Sequence, residues 1–423
     1  MTTTTPSTLL VLNAGSSSLK FAVYAAFAHA EPRLLWRGQY AGLDQGQAQL
    51  KISHRPPGIP GGDEQTLDVR NPSPLARRRS DSAALSINTP SDALTHLLDW
   101  LEQQADHPPP TLIGHRVVHG GSAYTDAVHI TPDVMATLQT LIPLAPLHQP
   151  HSLKLIRTCN QVLPTARQIA CFDTAFHHTQ PMAERRLALP RHWHDTGVMR
   201  YGFHGLSYEY IAETLAHHLD NSQTGRVIVA HLGQGTSLAA LRDGQSLATT
   251  TGFTALEGLP MGTRCGALDP GVVLYLMQEH GMSPDAISNL LYTQSGLLGL
   301  SGISSDMRVL LEQEEDATAA RDAIAVFIHR CVREIGALIA VLGGLDHLVF
   351  TGGMGEHASP IRERICQHLG WFGLHLDPAA NAQHRLRIER NDSSSAVWVI
   401  PTDEERMIAR HCVRLDDPQS SDG

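Results

Sequence analysis

Val11-Leu12-Asn13-Ala14-Gly15-Ser16-Ser17-Ser18-Leu19-Lys20-Phe21-Ala22-Val23-Tyr24 is the stretch that decides how this chain is read. Apolar residues lead into a Gly/Ser turn and alternating apolar residues lead out, which is the pattern of a β-hairpin. The tip carries a glycine, three hydroxyls, an amide and a lysine. Small residues let backbone N–H groups approach an anion, hydroxyls donate to it, and a lysine adds a point charge. Taken alone, the tip reads equally well as an anion cradle or as a polar turn with one surface lysine.

Two later stretches shift that balance. Val227-Ile228-Val229-Ala230-His231-Leu232-Gly233-Gln234-Gly235-Thr236-Ser237-Leu238-Ala239-Ala240 repeats the plan of strand, glycine-hydroxyl turn and strand. Leu348-Val349-Phe350-Thr351-Gly352-Gly353-Met354-Gly355-Glu356 is a buried strand running into a glycine-rich turn. Two hairpins of one design, about half a chain apart, predict a duplicated domain with a phosphate held between the halves.

Composition sets the outer bounds. At 423 residues the chain exceeds one ordinary core, so two domains are expected. Hydrophobic residues make up 42% and charged residues 17%, as in a soluble globular enzyme. A net charge of -10 argues against a nucleic-acid or anionic-membrane surface, so any anion must be caught by local Arg, Lys and N–H clusters. The 6 cysteines form no CxxC pair and the 25 histidines no HExxH, which excludes a recognisable zinc site or disulfide framework. The polar start, Met1 to Ser7, is not expected to be a signal peptide, and the most apolar helix candidate is broken by Arg330, Arg333 and Glu334. A cytoplasmic protein is expected.

Further along, a second pair of strands is expected over 33–53. Residues 54–90 then lose periodicity amid Pro and Gly, which predicts a flexible surface insertion with neither helix nor strand. Its Arg77-Arg78-Arg79 run reads as a solvated loop rather than an anionic-partner site. A helix opens at Ser91-Asp92, and another starts at Ser152. Arg116, at a strand end beside Gly120-Gly121, can meet a small carboxylate or phosphate with its planar fork, or serve as a structural turn arginine. Asp173 ends an apolar strand, a common place for a catalytic or magnesium-positioning carboxylate. The domain boundary falls near 175. Tyr201-Gly202-Phe203-His204-Gly205 opens a helix at Ser207, and a lone histidine there is more often structural than catalytic. Arg264 lies in a glycine-rich loop ahead of a helix capped by Asp269-Pro270, and Ser283-Pro284 repeats the device. A long helix from about Ala317 to Leu342 carries a core stripe and ends at Gly343-Gly344. Glu404, in an acidic first turn, is either a magnesium ligand through water or a favourable charge on the helix dipole.

These motifs together resemble the acetate kinase (acetokinase) family of the acetate and sugar kinase, Hsp70 and actin superfamily, over nearly the whole chain. The resemblance implies an α/β fold: two duplicated ribonuclease-H-like (actin-like ATPase) domains with a nucleotide cleft between them. It implies an N-terminal domain over 8–175, completed by the C-terminal helix 402–415, and a nucleotide-binding domain over 176–401, closing about hinges near 175 and 400. The implied reaction is reversible in-line transfer of the ATP γ-phosphoryl group to acetate, giving acetyl phosphate and ADP. Arg116, Asp173, His204 and Arg264 would be catalytic, with His204 steadying the transferring group. Arg116, Val118, Leu147, His148, Phe203 and Ala255 would line the acetate site. Ser16, Ser18, Lys20, His231, Leu232, Gly233, Gln234, Gly235, Asp306, Met307, Arg308, Gly353, Met354, Gly355, Glu356 and His357 would contact ATP or ADP. Asn13 and Glu404 would hold Mg2+, with Mn2+ as a substitute. The stretch from Ser295 to Arg308, rich in small residues, is expected as a tightly packed loop on the nucleotide side, and 352–357 as the adenosine loop. A homodimer is the family's common state.

The chemistry is consistent with that implication. A carboxylate acceptor with a pKa near ~4–5 is already ionised at neutral pH and needs no general base. It needs relief of repulsion between two anions, and alignment. Arg116, Arg264, His204, Lys20 and magnesium can supply this, each preorganised donor being worth ~3–4 kcal/mol.

Some positions depart from the family's usual residues. Gln234 and His357 stand where asparagine is usual, Cys265-Gly266-Ala267 where Ser-Gly-Asp is usual, and Ala255 where a proline usually narrows the acyl pocket; the 54–90 segment is longer than usual. Because one methylene discriminates by only ~1–3 kcal/mol, acetate is expected first, with appreciable propionate use. Propionate kinase of the same fold, and a non-metabolic actin-like nucleotide switch, are the competing readings.

Overall fold

β1 (Ser7–Ala14) pairs antiparallel with β2 (Leu19–Ala26), which places Asn13 directly opposite Lys20 at the mouth of the first hairpin. The second hairpin forms in the same way from β9 (Arg226–Leu232) and β10 (Thr236–Arg242). The structure is a computed structural model and describes residues 7–15, 18–26, 30–43, 48–54, 64–67, 87–104, 108–220 and 223–417.

The chain divides into two units, Met1–Ala175 with Asp403–Gly423, and Phe176–Thr402. The first holds β1, β2, β3 (Arg33–Ala41), β4 (Gln49–His54), β5 (Glu64–Leu67), β6 (Leu112–Val117), β7 (Val128–His129) and β8 (Arg167–Phe172). Their order across the sheet is β5-β4-β3-β2-β1-β6-β8-β7. The second unit holds β9, β10, β11 (Gln245–Thr249), β12 (His347–Thr351) and β13 (Ala396–Val399), in the order β11-β10-β9-β12-β13. The two sheets share a plan. β3-β2-β1 and β11-β10-β9 are antiparallel meanders, and β6-β8 and β12-β13 continue them in parallel. This ribonuclease-H-like arrangement, present twice, is the actin-like ATPase fold.

Helices cover both faces of each sheet, so the central strands are apolar on both sides. In β9, Ile228, Ala230 and Leu232 face one core with Phe327, Ile335 and Phe350, while Val227 and Val229 face another with Tyr208, Leu215 and Trp398. In the first unit, Leu10 and Leu12 pack with Leu94, Leu97 and Ile113. The helix Glu404–Asp416 lies against β6 at Gly114, where a Cβ would come within 2.6 Å of Ile408 Cγ2 and 2.7 Å of Cys412 Sγ.

Several helix ends fall where local chemistry puts them. Asp269 and Ser283 cap the helices Pro270–Gln278 and Pro284–Thr293, and Gly343 ends Thr318–Leu342 at φ 72. Other expectations need correction. Part of the 54–90 stretch is a strand: β5 extends the sheet antiparallel to β4, its prolines and glycines flanking rather than occupying it. The rest of that stretch up to residue 86, with Arg77-Arg78-Arg79, lies outside the described residues. The next helix begins at Pro90 rather than Ser91, because Thr89 and Asp92 form a reciprocal capping box. Gln149 and Gly205 open helices expected from Ser152 and Ser207. The 295–308 segment is not a loop throughout but contains the short helix Gly296–Ser301 and the start of Met307–Glu312. Residues Gly352–His357 likewise coil into a short helix.

Candidate active site

In the first unit the Gly15 N–H donates to the Ser18 carbonyl at 2.9 Å and closes the hairpin tip beside exposed Lys20. Ser16 lies outside the described residues. Arg116 leaves β6 next to Asp173, which follows β8. Nε donates to Oδ1 at 2.9 Å, Nη2 donates to Oδ2 at 2.7 Å, and Nη1 lies 3.2 Å from Glu404 Oε2. Burial works against the guanidinium charge, but Asp173 and Glu404 outweigh it and hold Arg116 protonated well above the ordinary arginine range. Val118 is buried two residues on, His148 sits at the N-cap of the helix Gln149–Val162, and Leu147 is exposed.

Sequence reasoning missed what anchors Glu404. Arg37, on β3, is ion-paired with Asp403, the N-cap of the Glu404 helix, and lies 4.0 Å from Glu405. Glu405 is pushed above the usual carboxylate range, first by burial and then by neighbouring Glu404. No local signal announces a pair 366 positions apart.

In the second unit, His204 is the N-cap of the helix Gly205–Leu219 and takes a left-handed φ of 60. Its ring stacks on His231 with centroids 4.4 Å apart and planes 21° apart. Across the β9–β10 turn, Gly235 has no side chain where one would collide. A Cβ there would lie 2.9 Å from His204 Nε2 and 3.1 Å from Arg264 Nη2. Arg264 is steadied by donating Nη1–H to the Ala255 carbonyl at 2.7 Å. The turn is held by the Gly233 N–H to the Gly235 carbonyl at 3.1 Å and by the Thr236 hydroxyl to the Gly233 carbonyl at 3.1 Å. Leu232 is buried beneath it, and the Gln234 carbonyl accepts from the Gly262 N–H at 3.2 Å. An imidazole and a guanidinium thus converge on one glycine, which is the arrangement that receives an oxyanion closely.

The remaining candidates lie at helix starts. Asp306 caps Met307–Glu312 and pairs with exposed Arg308 at 2.6 Å, while Met307 is buried. In Gly352–His357, Gly353 and His357 are exposed, Met354 is partly buried and Gly355 is buried. Glu356 accepts from the Gly352 N–H at 3.0 Å and from the Thr402 N–H at 3.3 Å. Phe203 is buried. Two further groups escaped sequence reasoning. Buried Arg362 donates to the Gly355 and Glu356 carbonyls at 2.8 and 2.9 Å, and Ser237 meets His204 Nδ1 at 2.7 Å.

Among the described residues no three His, Cys, Asp or Glu side chains cluster as a metal cage. The amide oxygen of Asn13 and the carboxylate of Glu404 are hard oxygen donors. Oxygen donors of this kind are the chemistry magnesium takes, one or two at a time, while it keeps several waters.

A model described as the acetokinase family matches residues 70–410. An acetate kinase of Rhodopseudomonas palustris (strain TIE-1) is 49% identical over 418 residues, covering 97% of this chain and 98% of that one. A crystal structure of a propionate kinase from Francisella tularensis subsp. tularensis SCHU S4 superposes with a TM-score of 0.85 at 35% identity, covering 96% and 98% of the two chains. An acetate kinase structure from Porphyromonas gingivalis gives a TM-score of 0.80 at 35% identity, with the same coverage. With a family model spanning most of its length and a relative nearly half identical from end to end, the chain belongs to the acetokinase family.

Proposed function

We propose that this chain is an acetate kinase, a phosphotransferase with a carboxyl group as acceptor that moves the γ-phosphoryl group of ATP reversibly to acetate. The observation that carries the reading is the convergence of His204 Nε2 and Arg264 Nη2 on Gly235, in the hairpin turn built for an anion. An oxygen of the transferring group set against that glycine would accept from both donors. Arg116 has five N–H groups, of which Asp173 takes two; Nη1 and the second Nη2 hydrogen remain for Glu404 and an incoming anion. Acetate arrives ionised, so Asp173 orients Arg116 and takes no proton. Lys20 adds positive charge from the first hairpin. The His231–Gly235 turn, Asp306–Arg308 and Gly353–His357 are the surfaces we assign to the nucleotide. Magnesium, held through Asn13 and Glu404, would neutralise phosphate charge.

Propionate is the second acceptor we propose. The reading rests on Ala255 being smaller than the proline usual at that place in the family, since one methylene discriminates by only ~1–3 kcal/mol. Catalytic efficiency on acetate, propionate and butyrate tests this: strict acetate specificity overturns the propionate reading. Hydroxylamine trapping of acyl phosphate with ATP, magnesium and acetate tests the main one, and no product above a protein-free blank would favour a nucleotide switch.

We also propose a homodimer. The helix Pro270–Gln278 buries none of its residues, and Val272, Leu274, Tyr275 and Met277 are exposed on it, with Leu268 just ahead. A helix this apolar needs a covering surface, and a second copy of the chain supplies one. No helix among the described residues is long and apolar enough to cross a membrane. The acidic net charge of -10 is our ground for proposing a cytoplasmic enzyme without a nucleic-acid partner.

A further inference from the structure

The hydroxyl of Ser237, on β10, stands between two side chains of the helix that His204 caps. On one side it meets His204 Nδ1 at 2.7 Å, and on the other it meets the Tyr208 hydroxyl. Ser237 and Tyr208 are both wholly buried. These are the hydrogen bonds the two hydroxyls make among the described residues, so the position of each proton follows from matching donors to acceptors.

The Tyr208 proton has Ser237 Oγ as its acceptor. The Ser237 proton, with Tyr208 already donating, then has His204 Nδ1 as its acceptor. A nitrogen that accepts carries no proton, so the ring proton must sit on Nε2. The opposite tautomer, with Nδ1–H donating to Ser237, leaves one buried hydroxyl hydrogen with nothing to meet; such an orphan costs about 1–3 kcal/mol. His204 Nε2 is the nitrogen that faces Gly235 alongside Arg264.

We infer that Ser237, backed by Tyr208, is a positioning residue that fixes His204 in the Nε2–H tautomer, so that the imidazole presents a donor to an oxyanion held against Gly235. The inference rests on the functional reading above for its consequence, though not for the tautomer itself. Neighbouring groups have partners of their own. His231 stacks on its face, with its own Nδ1 engaged by the Ser207 hydroxyl at 2.8 Å, and Ser207 is tied to Thr402 at 2.8 Å. Arg264 lies on the Nε2 side. His177 packs edge-on against the Tyr208 ring and directs its nitrogens to the Phe203 carbonyl and the Ser246 hydroxyl.

The test is nitrogen NMR of the full chain with ring-labelled histidine, the His204 pair being identified by its loss in His204→Asn. The expected spectrum has an unprotonated, accepting Nδ1 and a protonated Nε2. In Ser237→Ala the two tautomers should mix and kcat should fall by about tenfold or more, toward the ~10⁴-fold seen when a catalytic imidazole is held in the wrong tautomer. KM for ATP should change by less than about twofold, because the lost effect lies in the transition state. Ser237→Thr restores the hydroxyl and should recover both the tautomer and kcat. It also keeps the test alive if the alanine variant misfolds. Tyr208→Phe should keep the tautomer. A protonated Nδ1 in the parent protein, or an unchanged tautomer in Ser237→Ala, overturns the inference. A correct tautomer in a protein that makes no acyl phosphate would overturn the functional reading alone.

Discussion

Arg116 and Asp173 are joined at two points, Nε to Oδ1 at 2.9 Å and Nη2 to Oδ2 at 2.7 Å, although 57 positions separate them. Strand register brings them together. β6 and β8 run parallel with Arg116 opposite Cys171, and the Asp173 N–H donates to the Val117 carbonyl at 3.2 Å. A planar guanidinium gripped along one edge cannot rotate, so its other N–H groups keep a fixed aim.

Asp173→Asn should therefore cost both stability and rate. It removes the carboxylate from a largely buried pair and sets an amide N–H against a guanidinium N–H. A loss of about 3–5 kcal/mol is expected in urea unfolding. A fall of about 10²–10³ in kcat/KM for acetate is expected from the misaimed cation. Activity within twofold of the parent would show that Arg116 does not need its clamp.

Acid should weaken the protein before its carboxylates titrate. Burial pushes His115, His119 and His177 down to about 4. His115 Nε2 pairs with the Gln168 side-chain oxygen at 2.8 Å, and His177 pairs with the Phe203 carbonyl and the Ser246 hydroxyl. An unfolded histidine takes its proton near ~6.5, while the folded ones decline it until about 4. Between those values the unfolded chain binds more protons, so the histidine contribution is whole above the unfolded value and is lost as pH falls. The slope is up to about 1.4 kcal/mol per pH unit for each histidine. Urea unfolding at pH 7, 6 and 5 measures it; a flat profile down to pH 5 would contradict the burial.

Arg362→Lys should destabilise the second unit. The guanidinium is fully buried and all five donors are used: Asn381 Oδ1 and the Asn381 carbonyl, the Gly355 and Glu356 carbonyls, and His384 Nδ1. Lysine has three donors and no fork, which leaves at least two of the five acceptors unmet; His384 is exposed, so at least one of the two is buried, at about 1–3 kcal/mol. A lowered thermal midpoint is expected and, because Arg362 holds the Gly355 and Glu356 carbonyls of the helix we propose for the nucleotide, a raised KM for ATP. An unchanged midpoint would refute this.

Leu274→Glu and Tyr275→Glu place a charge on an exposed apolar helix face. Either should shift the chain toward monomer in light scattering while leaving the monomer folded by circular dichroism. A parent protein already monomeric at micromolar concentration would remove the basis for the dimer.

What could be read from residues alone was what neighbours in sequence decide. Both hairpins, the caps at Asp269 and Ser283, the Gly343 stop and the core stripe of the 318–342 helix depend on a few adjacent side chains and the period of their apolar residues. β5 was misread because an edge strand takes its stability from the ladder beside it, and the short Glu64–Leu67 segment carries too little pattern to announce one.

The sequence by itself determined which residue types stand at the two glycine turns, and with them the expectation that anions are handled there. Tertiary structure decided how those residues are aimed: Asp173 on Arg116, Arg37 on Asp403, Ser237 between Tyr208 and His204. Hydrogen bonds between distant positions exist only once the sheets set the register that brings their partners within 3 Å, and no local preference encodes that meeting.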